Sequence, residues 1–269
     1  MKLSEATRRL SEAGIENARD EARMLFTALG GFSVADTIGT DLISEEKRLT
    51  EAVERREKRE PLQYIIGRVD FYRESYNVSP DCLIPRHDTE TLVDLAVKMI
   101  PAGERFIDLC TGSGCIAIST LKNTKNTTAV AVDLSHGALE LARGNAELNG
   151  VSDRITFIEA DVLKELVNGD FFAVLSNPPY VTDTAYKSLE PELYFEPKIA
   201  LVGNDDDGAG FYRRIAELYC HSIKDGGFIA FEIGYDQAAP LLKAAEELGM
   251  SCEIIKDLSG NDRVALLKK

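Results

Sequence analysis

The sequence predicts an α/β protein: a mostly parallel seven-stranded sheet with an antiparallel last strand, preceded by a small N-terminal helical bundle. Three observations carry this. Residues 1–60 hold apolar positions at helical spacing and no strand-like run. From Arg105 onward, apolar strand-like runs alternate with helical segments, the pattern of a parallel sheet covered on both faces. The last two apolar runs are joined only by Asp257–Asp262, too short for a parallel crossover, so the final strand runs antiparallel.

The elements follow in order. Leu3, Ala6, Leu10 and Ala13 recur at helical spacing, as do Ala22, Leu25, Phe26 and Leu29 before Gly30-Gly31 breaks the second helix. Ser44-Glu-Glu-Lys47 resembles a capping signal for a third helix reaching about Glu60. Pro61 ends the bundle. Gln63–Ile66 and Phe71–Val78 read as two short extended segments joined through Gly67, a hairpin-like linker over 61–84. Pro85 and a helix over Thr89–Ile100 then lead into a domain spanning 85–269. Its strands are expected at 105–109, 128–132, 155–159, 171–176, 227–233, 251–256 and 263–268. Its further helices are expected at 114–122, 135–148, 208–223 and 237–248.

Composition narrows the function. The net charge is −14, and residues 1–60 hold 11 basic and 13 acidic side chains, leaving 20 basic and 32 acidic in the rest. An acidic surface repels a duplex or a long RNA, so no direct nucleic-acid partner is expected. The one dense basic cluster, Arg55-Arg56-Glu57-Lys58-Arg59, lies among Glu51, Glu54 and Glu60 and reads as a solvated helix face. No apolar run approaches the roughly 20 residues that cross a bilayer, and the first ten residues lack a signal-peptide core. The five scattered cysteines form no C-x-x-C and no zinc pattern with the three histidines, which fits reduced thiols in a cytoplasmic protein without a metal. Asp205-Asp206-Asp207 reads as a turn that caps the following helix.

Asn177-Pro178-Pro179-Tyr180 is the most informative motif. Neither proline can donate to a sheet ladder, so the strand over Phe171–Ser176 must stop at Asn177. The carboxyl ends of strands in an open α/β sheet are where ligands bind. Asn177 offers a carbonyl acceptor and an amide donor there, Pro178 a carbonyl without a ladder partner, and Tyr180 a flat face. Such a set suits a planar amide or amino group, although N-P-P also marks a plain strand-to-turn boundary.

A second motif upstream turns the reading toward a site. In Phe106-Ile-Asp-Leu-Cys-Thr-Gly-Ser-Gly-Cys-Ile-Ala117 an apolar strand enters a glycine loop and then a helix. Gly112 and Gly114 allow close backbone approach to a ligand, and the helix start favours an anionic group. The next strand ends in Asp133, placed to accept from both hydroxyls of a ribose.

Together these features resemble class I S-adenosylmethionine-dependent methyltransferases, whose core is a Rossmann-like seven-stranded sheet. Gln63-Tyr-Ile-Ile-Gly67, Leu83-Ile-Pro-Arg86, Asp88-Thr-Glu90, Glu196-Pro197, Phe211-Tyr-Arg-Arg-Ile215, Glu232-Ile-Gly234 with Gln237, and Asp257-Leu-Ser-Gly-Asn-Asp-Arg-Val264 occur in that order. In this order they resemble the HemK/PrmC family, the release-factor glutamine N5-methyltransferases, across essentially residues 1–269. Cys110 stands where that family usually has glycine, and His87 where proline is common.

The resemblance implies methyl transfer from S-adenosylmethionine, leaving S-adenosylhomocysteine, to the glutamine of the G-G-Q loop in class I peptide chain release factors. It implies that Cys110, Thr111, Gly112, Ser113 and Gly114 cradle the methionine portion, that Asp133 holds the ribose, and that Asp161 and Val162 border the adenine. Asn177, Pro178 and Tyr180 would be catalytic, with Pro179 completing the substrate contact and Arg86, Thr89 and Glu90 at the rim. Residues 1–60 would recognise the protein substrate, and the chain would act as a monomer. Capping of neighbouring helices is the competing reading for Asp161, Arg86, Thr89 and Glu90.

Three other functions fit less of the sequence. A nucleic-acid amino-methyltransferase shares N-P-P-Y but not the acidic charge or the Gln63–Gly67 segment. A dinucleotide-dependent oxidoreductase would use Gly112-x-Gly114-x-x-Ala117 with Asp133, yet leaves N-P-P-Y without a purpose. A non-catalytic binding module has no need of an intact acceptor site.

Overall fold

The computed structural model describes residues 1–39, 41–203 and 207–269. Asp205 and Asp206 of the acidic run lie outside the described residues. The chain divides into two compact units, Met1–Arg68 with Glu190–Phe195, and Val69–Leu189 with Glu196–Lys269. No described helix is long and apolar enough to cross a membrane.

The first unit contains α1 (Leu3–Glu12), α2 (Ala18–Leu29), α3 (Lys47–Glu57) and α4 (Leu62–Ile66). Leu10, Ala22, Leu25, Phe26, Leu49 and Val53 form its dry core. Two expectations are corrected here. Gln63–Ile66 is helical rather than extended. Leu62 and Ile65, three apart, bury on the bundle core, and Gly67 ends the turn at φ 79°. Left-handed φ suits glycine at that position. Ser44 does not cap α3: the cap position is Glu46, and the Ser44 hydroxyl accepts from the Glu46 N–H instead.

The segment Glu190–Phe195 belongs to this unit through charge. The buried Arg56 guanidinium donates to Glu21 at 2.6 Å and to Glu192 at 2.9 Å, and Arg59 adds a second contact to Glu192 at 2.9 Å. Burial pushes the Glu192 pKa up, but the hydrogen bonds from Arg59 and Arg56 together outweigh it and lower the pKa. Losing one member of so buried an ion pair would strand the others without a counter-charge.

The second unit begins with a small two-stranded sheet, β1 (Arg68–Phe71) and β2 (Glu74–Asn77), turned at Tyr72 with φ 60°. Then come α5 (Glu90–Met99), β3 (Arg105–Leu109), α6 (Cys115–Asn123), β4 (Thr128–Asp133), α7 (His136–Leu148), β5 (Ile155–Glu159), β6 (Phe171–Ser176) and α8 (Asp183–Tyr186). The chain closes with α9 (Gly210–Tyr219), β7 (Ile223–Glu232), α10 (Ala238–Glu247), β8 (Ser251–Lys256) and β9 (Asp262–Lys268).

The main sheet has the order β5-β4-β3-β6-β7-β9-β8. The first five are parallel, and β9 lies antiparallel between β7 and β8, as its short connection requires. Side chains alternate along β3: Phe106 packs with α5 and α6, while Ile107 and Leu109 pack with α9 and α10. A strand buried on both faces reads as a continuous apolar run, which is why these strands were legible.

The order reverses between β3 and β6. Crossovers from these neighbours leave toward opposite faces of the sheet, so their carboxyl ends open a crevice. The glycine loop follows β3, and Asn177 follows β6.

Candidate active site

A cavity of about 220 Å³ lies at this reversal. Its wall carries Cys110, Thr111, Gly112 and Ser113 after β3, Asp133 at the end of β4, Asp161 and Val162 after β5, and Asn177 and Pro179 after β6. Arg86 and Thr89 complete the sequence-derived set. Gly114, Pro178, Tyr180 and Glu90 do not line it.

The loop after β3 is held open by three residues with left-handed φ: Cys110 at 58°, Gly112 at 53° and Gly114 at 81°. A Cβ on Gly112 would have only Cys82 Cβ within 4 Å, at 3.8 Å, so that glycine faces open space. Gly114 acts differently. A Cβ there would meet Ile118 Cδ1 at 2.9 Å and Ala142 Cβ at 3.2 Å, so its missing side chain lets α6 pack against α7. The Thr111 hydroxyl turns away from the cavity and donates to Asp108 at 2.6 Å. Burial pushes Asp108 up to about 7.

Asp133 organises the loop as well as facing the cavity. Its Oδ2 accepts from the Gly112 N–H and its Oδ1 from the Ser135 N–H, each at 2.9 Å. A carboxylate has about four lone-pair directions, so both oxygens retain acceptor capacity. Burial raises its pKa, with the backbone donors opposing. Asp161 is both a turn cap and a wall residue: its Oδ1 accepts from the Leu163 N–H at 3.0 Å, and Lys164 at 2.7 Å lowers its pKa.

At the other side, the Asn177 amide group donates to the Thr89 hydroxyl at 3.4 Å, leaving Oδ1 for the cavity. Tyr180 departs from expectation. It is half-buried beside α9 and β7, and its carbonyl accepts from Gln237 Nε2 at 3.1 Å. Gly208 has φ 68°, and a Cβ there would strike the Tyr180 carbonyl oxygen at 2.3 Å. The aromatic ring on the cavity wall is Phe211. Glu90 also lies elsewhere, accepting from the Tyr72 N–H at 3.0 Å at the start of α5.

Several contributors were not singled out as site residues. Cys82, Leu83, Ile84, Ile199, Ala200 and Phe211 supply apolar wall. The buried Glu196 carboxylate accepts from the Ile84 N–H at 2.9 Å and pairs with Arg86, tying the chain on one side of the cavity to that on the other. The sequence signal was present as an isolated Glu-Pro pair, but nothing local names a partner 112 residues away.

Comparison with known proteins gives a consistent result. The model of the methyltransferase small domain matches residues 88–194, and that of the PrmC N-terminal domain matches residues 2–67. A release factor glutamine methyltransferase of Geobacter sulfurreducens is 38% identical over 95% of this chain and 91% of its own length. One of Caulobacter vibrioides is 34% identical over 96% of this chain and 92% of its own. Among solved structures, a methyltransferase from Pyrococcus furiosus has the same fold, with TM-score 0.53 and 20% identity over 71% of this chain and 86% of that one.

The left-handed Cys110 yields a stability prediction. A non-glycine residue there costs about 1–2 kcal/mol, so glycine is tolerated and a β-branched residue is not. Cys110→Gly should lie within about 1 kcal/mol of wild type, since the relief is offset by added chain entropy. Cys110→Val should lose about 2 kcal/mol or more, combining left-handed strain with crowding at the wall. Denaturant titration checks both, and a fully stable Cys110→Val would refute the strain.

Proposed function

The chain belongs to the release factor glutamine methyltransferase family, and we propose from its site that it transfers a methyl group from S-adenosylmethionine to the side-chain amide nitrogen of the G-G-Q glutamine in peptide chain release factors. The observation that carries this reading is Asn177: a fixed amide at the sheet reversal, its carbonyl left for the cavity by the bond to Thr89.

The residues present fit the cofactor. Gly112 leaves a cradle that a side chain would enter, Asp133 keeps acceptor capacity for ribose hydroxyls, and Val162, Leu163 and Ile199 give apolar wall for a purine. When bound, the cofactor supplies an activated sulfonium methyl. The protein must handle a poor nucleophile, because the amide lone pair is delocalised into its carbonyl. Asn177 Oδ1 accepts one amide N–H, while Pro178, expected to supply the second acceptor, does not line the cavity. The Asn177 acceptor orients the nitrogen and stabilises the positive charge that develops on it. Phe211, rather than Tyr180, offers the face on which the planar amide packs. The proton leaves after transfer, so no strong base is needed. A release factor as substrate places the reaction in the cytoplasm.

The helical unit is assigned to recognising the body of the release factor. It has its own core, and the whole described cavity wall comes from the other unit. Intact release factor should therefore have a much lower KM than an isolated peptide carrying G-G-Q, with similar cofactor affinity. Equal KM values for the two substrates would remove this role.

Two substitutions test the chemistry. Asn177→Ala should leave cofactor affinity nearly intact and lower the methylation rate by about 10²–10³, the cost of one preorganised polar partner. Asn177→Asp keeps an acceptor of the same shape and should retain more activity than alanine. Near-wild-type labelling of the glutamine by Asn177→Ala, read by mass spectrometry, would return N-P-P-Y to a plain strand terminator.

Asp133→Ala should weaken S-adenosylmethionine binding by about 1.5–3 kcal/mol, the range for hydrogen bonds to a charged group. Calorimetry is the measurement, and unchanged affinity would exclude the ribose role.

A further inference from the structure

Glu232 is a buried carboxylate that the chemistry above does not use. Ser176 pairs with Phe231 in the sheet, so Asn177 and Glu232 stand side by side at the carboxyl ends of β6 and β7. Glu232 is only 2% exposed. The neighbouring Thr89 side chain opposes the rise that burial imposes on the Glu232 pKa, while Glu232 Oε2 has no hydrogen-bond partner among the described residues. Thr89 is equally buried, and its Oγ1 is the atom that faces the Asn177 amide.

A threonine hydroxyl has one hydrogen and two lone pairs, whereas an ionised carboxylate can only accept. With Glu232 ionised, the single Thr89 hydrogen must go to Glu232. Thr89 can then only accept from Asn177. The amide must present its NH₂ group to Thr89 and its carbonyl oxygen to the cavity. The flipped amide would need a second hydrogen on Thr89.

We propose that Glu232 is a positioning residue for methyl transfer, acting through Thr89 to fix which face of the Asn177 amide meets the substrate. The inference rests on the catalytic reading of Asn177. The relay runs from β7, through the residue before α5, to the end of β6.

Its surroundings predict when the relay works. Arg263 on β9, Asp88 and Arg86 before α5, and Tyr180 after β6 face the carboxyl electrostatically, as does Cys115 on α6. Arg263 is shared, pairing with Asp88 at 3.0 Å and Asp257 at 3.2 Å, so its charge is divided. Burial dominates and pushes Glu232 up to about 7. Above that value the ionised group enforces the relay. Below it, the protonated group can donate to Thr89, which frees the Thr89 hydrogen for the Asn177 carbonyl and draws the acceptor away from the cavity. Activity should therefore fall as pH drops through about 7.

The test is steady-state methylation of intact release factor from pH 6 to 9, with cofactor affinity measured by calorimetry. Wild type should lose kcat on the acid side, approaching tenfold per pH unit. Glu232→Gln is isosteric and should lower kcat about tenfold at pH 8 and flatten the acid limb. Its KM for release factor and its cofactor affinity should stay within about twofold of wild type. Thr89→Ser should keep most of the activity, and Thr89→Val should match the loss in Glu232→Gln.

A Glu232→Gln enzyme with wild-type kcat and an unchanged acid limb would overturn the proposal. So would a loss of cofactor affinity in step with activity. If Glu232→Gln does not fold, the threonine pair decides, with equal rates for serine and valine counting against the relay. Asn177→Ala separates the levels. If it is slow while Glu232→Gln is normal, only the relay fails. If it is fully active, the underlying catalytic reading fails.

Discussion

The strand-order reversal between β3 and β6 is the constraint on which the rest depends. These two strands are parallel neighbours, in register from Phe106 with Ala173 to Leu109 with Ser176. Helices on one face cover Phe106 and those on the other cover Ile107 and Leu109. No crossover spans the gap at the carboxyl ends, so the backbone there is free to meet a ligand. The site residues reach one cavity because four neighbouring strands end at a common level. Cys110, Ala160 and Asn177 each follow the last residue of a strand, and Asp133 is the last residue of β4.

A crevice alone does not place side chains to within the tolerance chemistry needs. That precision comes from polar groups acting as fasteners behind the wall. Asp133 accepts from two backbone N–H groups across the glycine loop. Glu196 gathers Ile84 and Arg86. Gln237 accepts from the Tyr212 hydroxyl and the Gly234 N–H while donating to the Tyr180 carbonyl. Asp257 accepts from Ser259, Asn261 and Arg263, which shapes the turn before β9 and aims Arg263 at Asp88. Each fastener is a buried or half-buried group that hydrogen-bonds chain from a distant element or a tight turn. An unmet group of that kind would cost about 1–3 kcal/mol, so these contacts also specify the loop conformations.

The same logic separates the two roles of glycine in the loop after β3. Gly112 faces open space beside Cys82, whereas Gly114 lets α6 and α7 approach. Cys110 accepts a left-handed backbone without being glycine. The loop geometry is therefore imposed by its surroundings, the β3 end, the Asp133 carboxylate and α6, and not by the preference of each residue within it.

The order and type of nearly every element in the larger unit can be read from the amino acids alone, because strands buried on both faces are continuous apolar runs and the helices between them are periodic. The amino acids also mark the two loops that matter, since consecutive prolines end a ladder and paired glycines permit left-handed turns. Short segments were less legible: Leu62–Ile66 carries β-branched and aromatic residues, yet its burial on the bundle core makes it a helix. Folding in three dimensions is what joins Glu190–Phe195 to the helical unit through Arg56 and Arg59, puts Phe211 and not Tyr180 on the cavity wall, and stands Glu232 beside Asn177. Those are pairings between residues tens to more than a hundred positions apart. Local periodicity reports which face a residue buries, but the partner it meets there is set by strand order and register, which no local pattern contains.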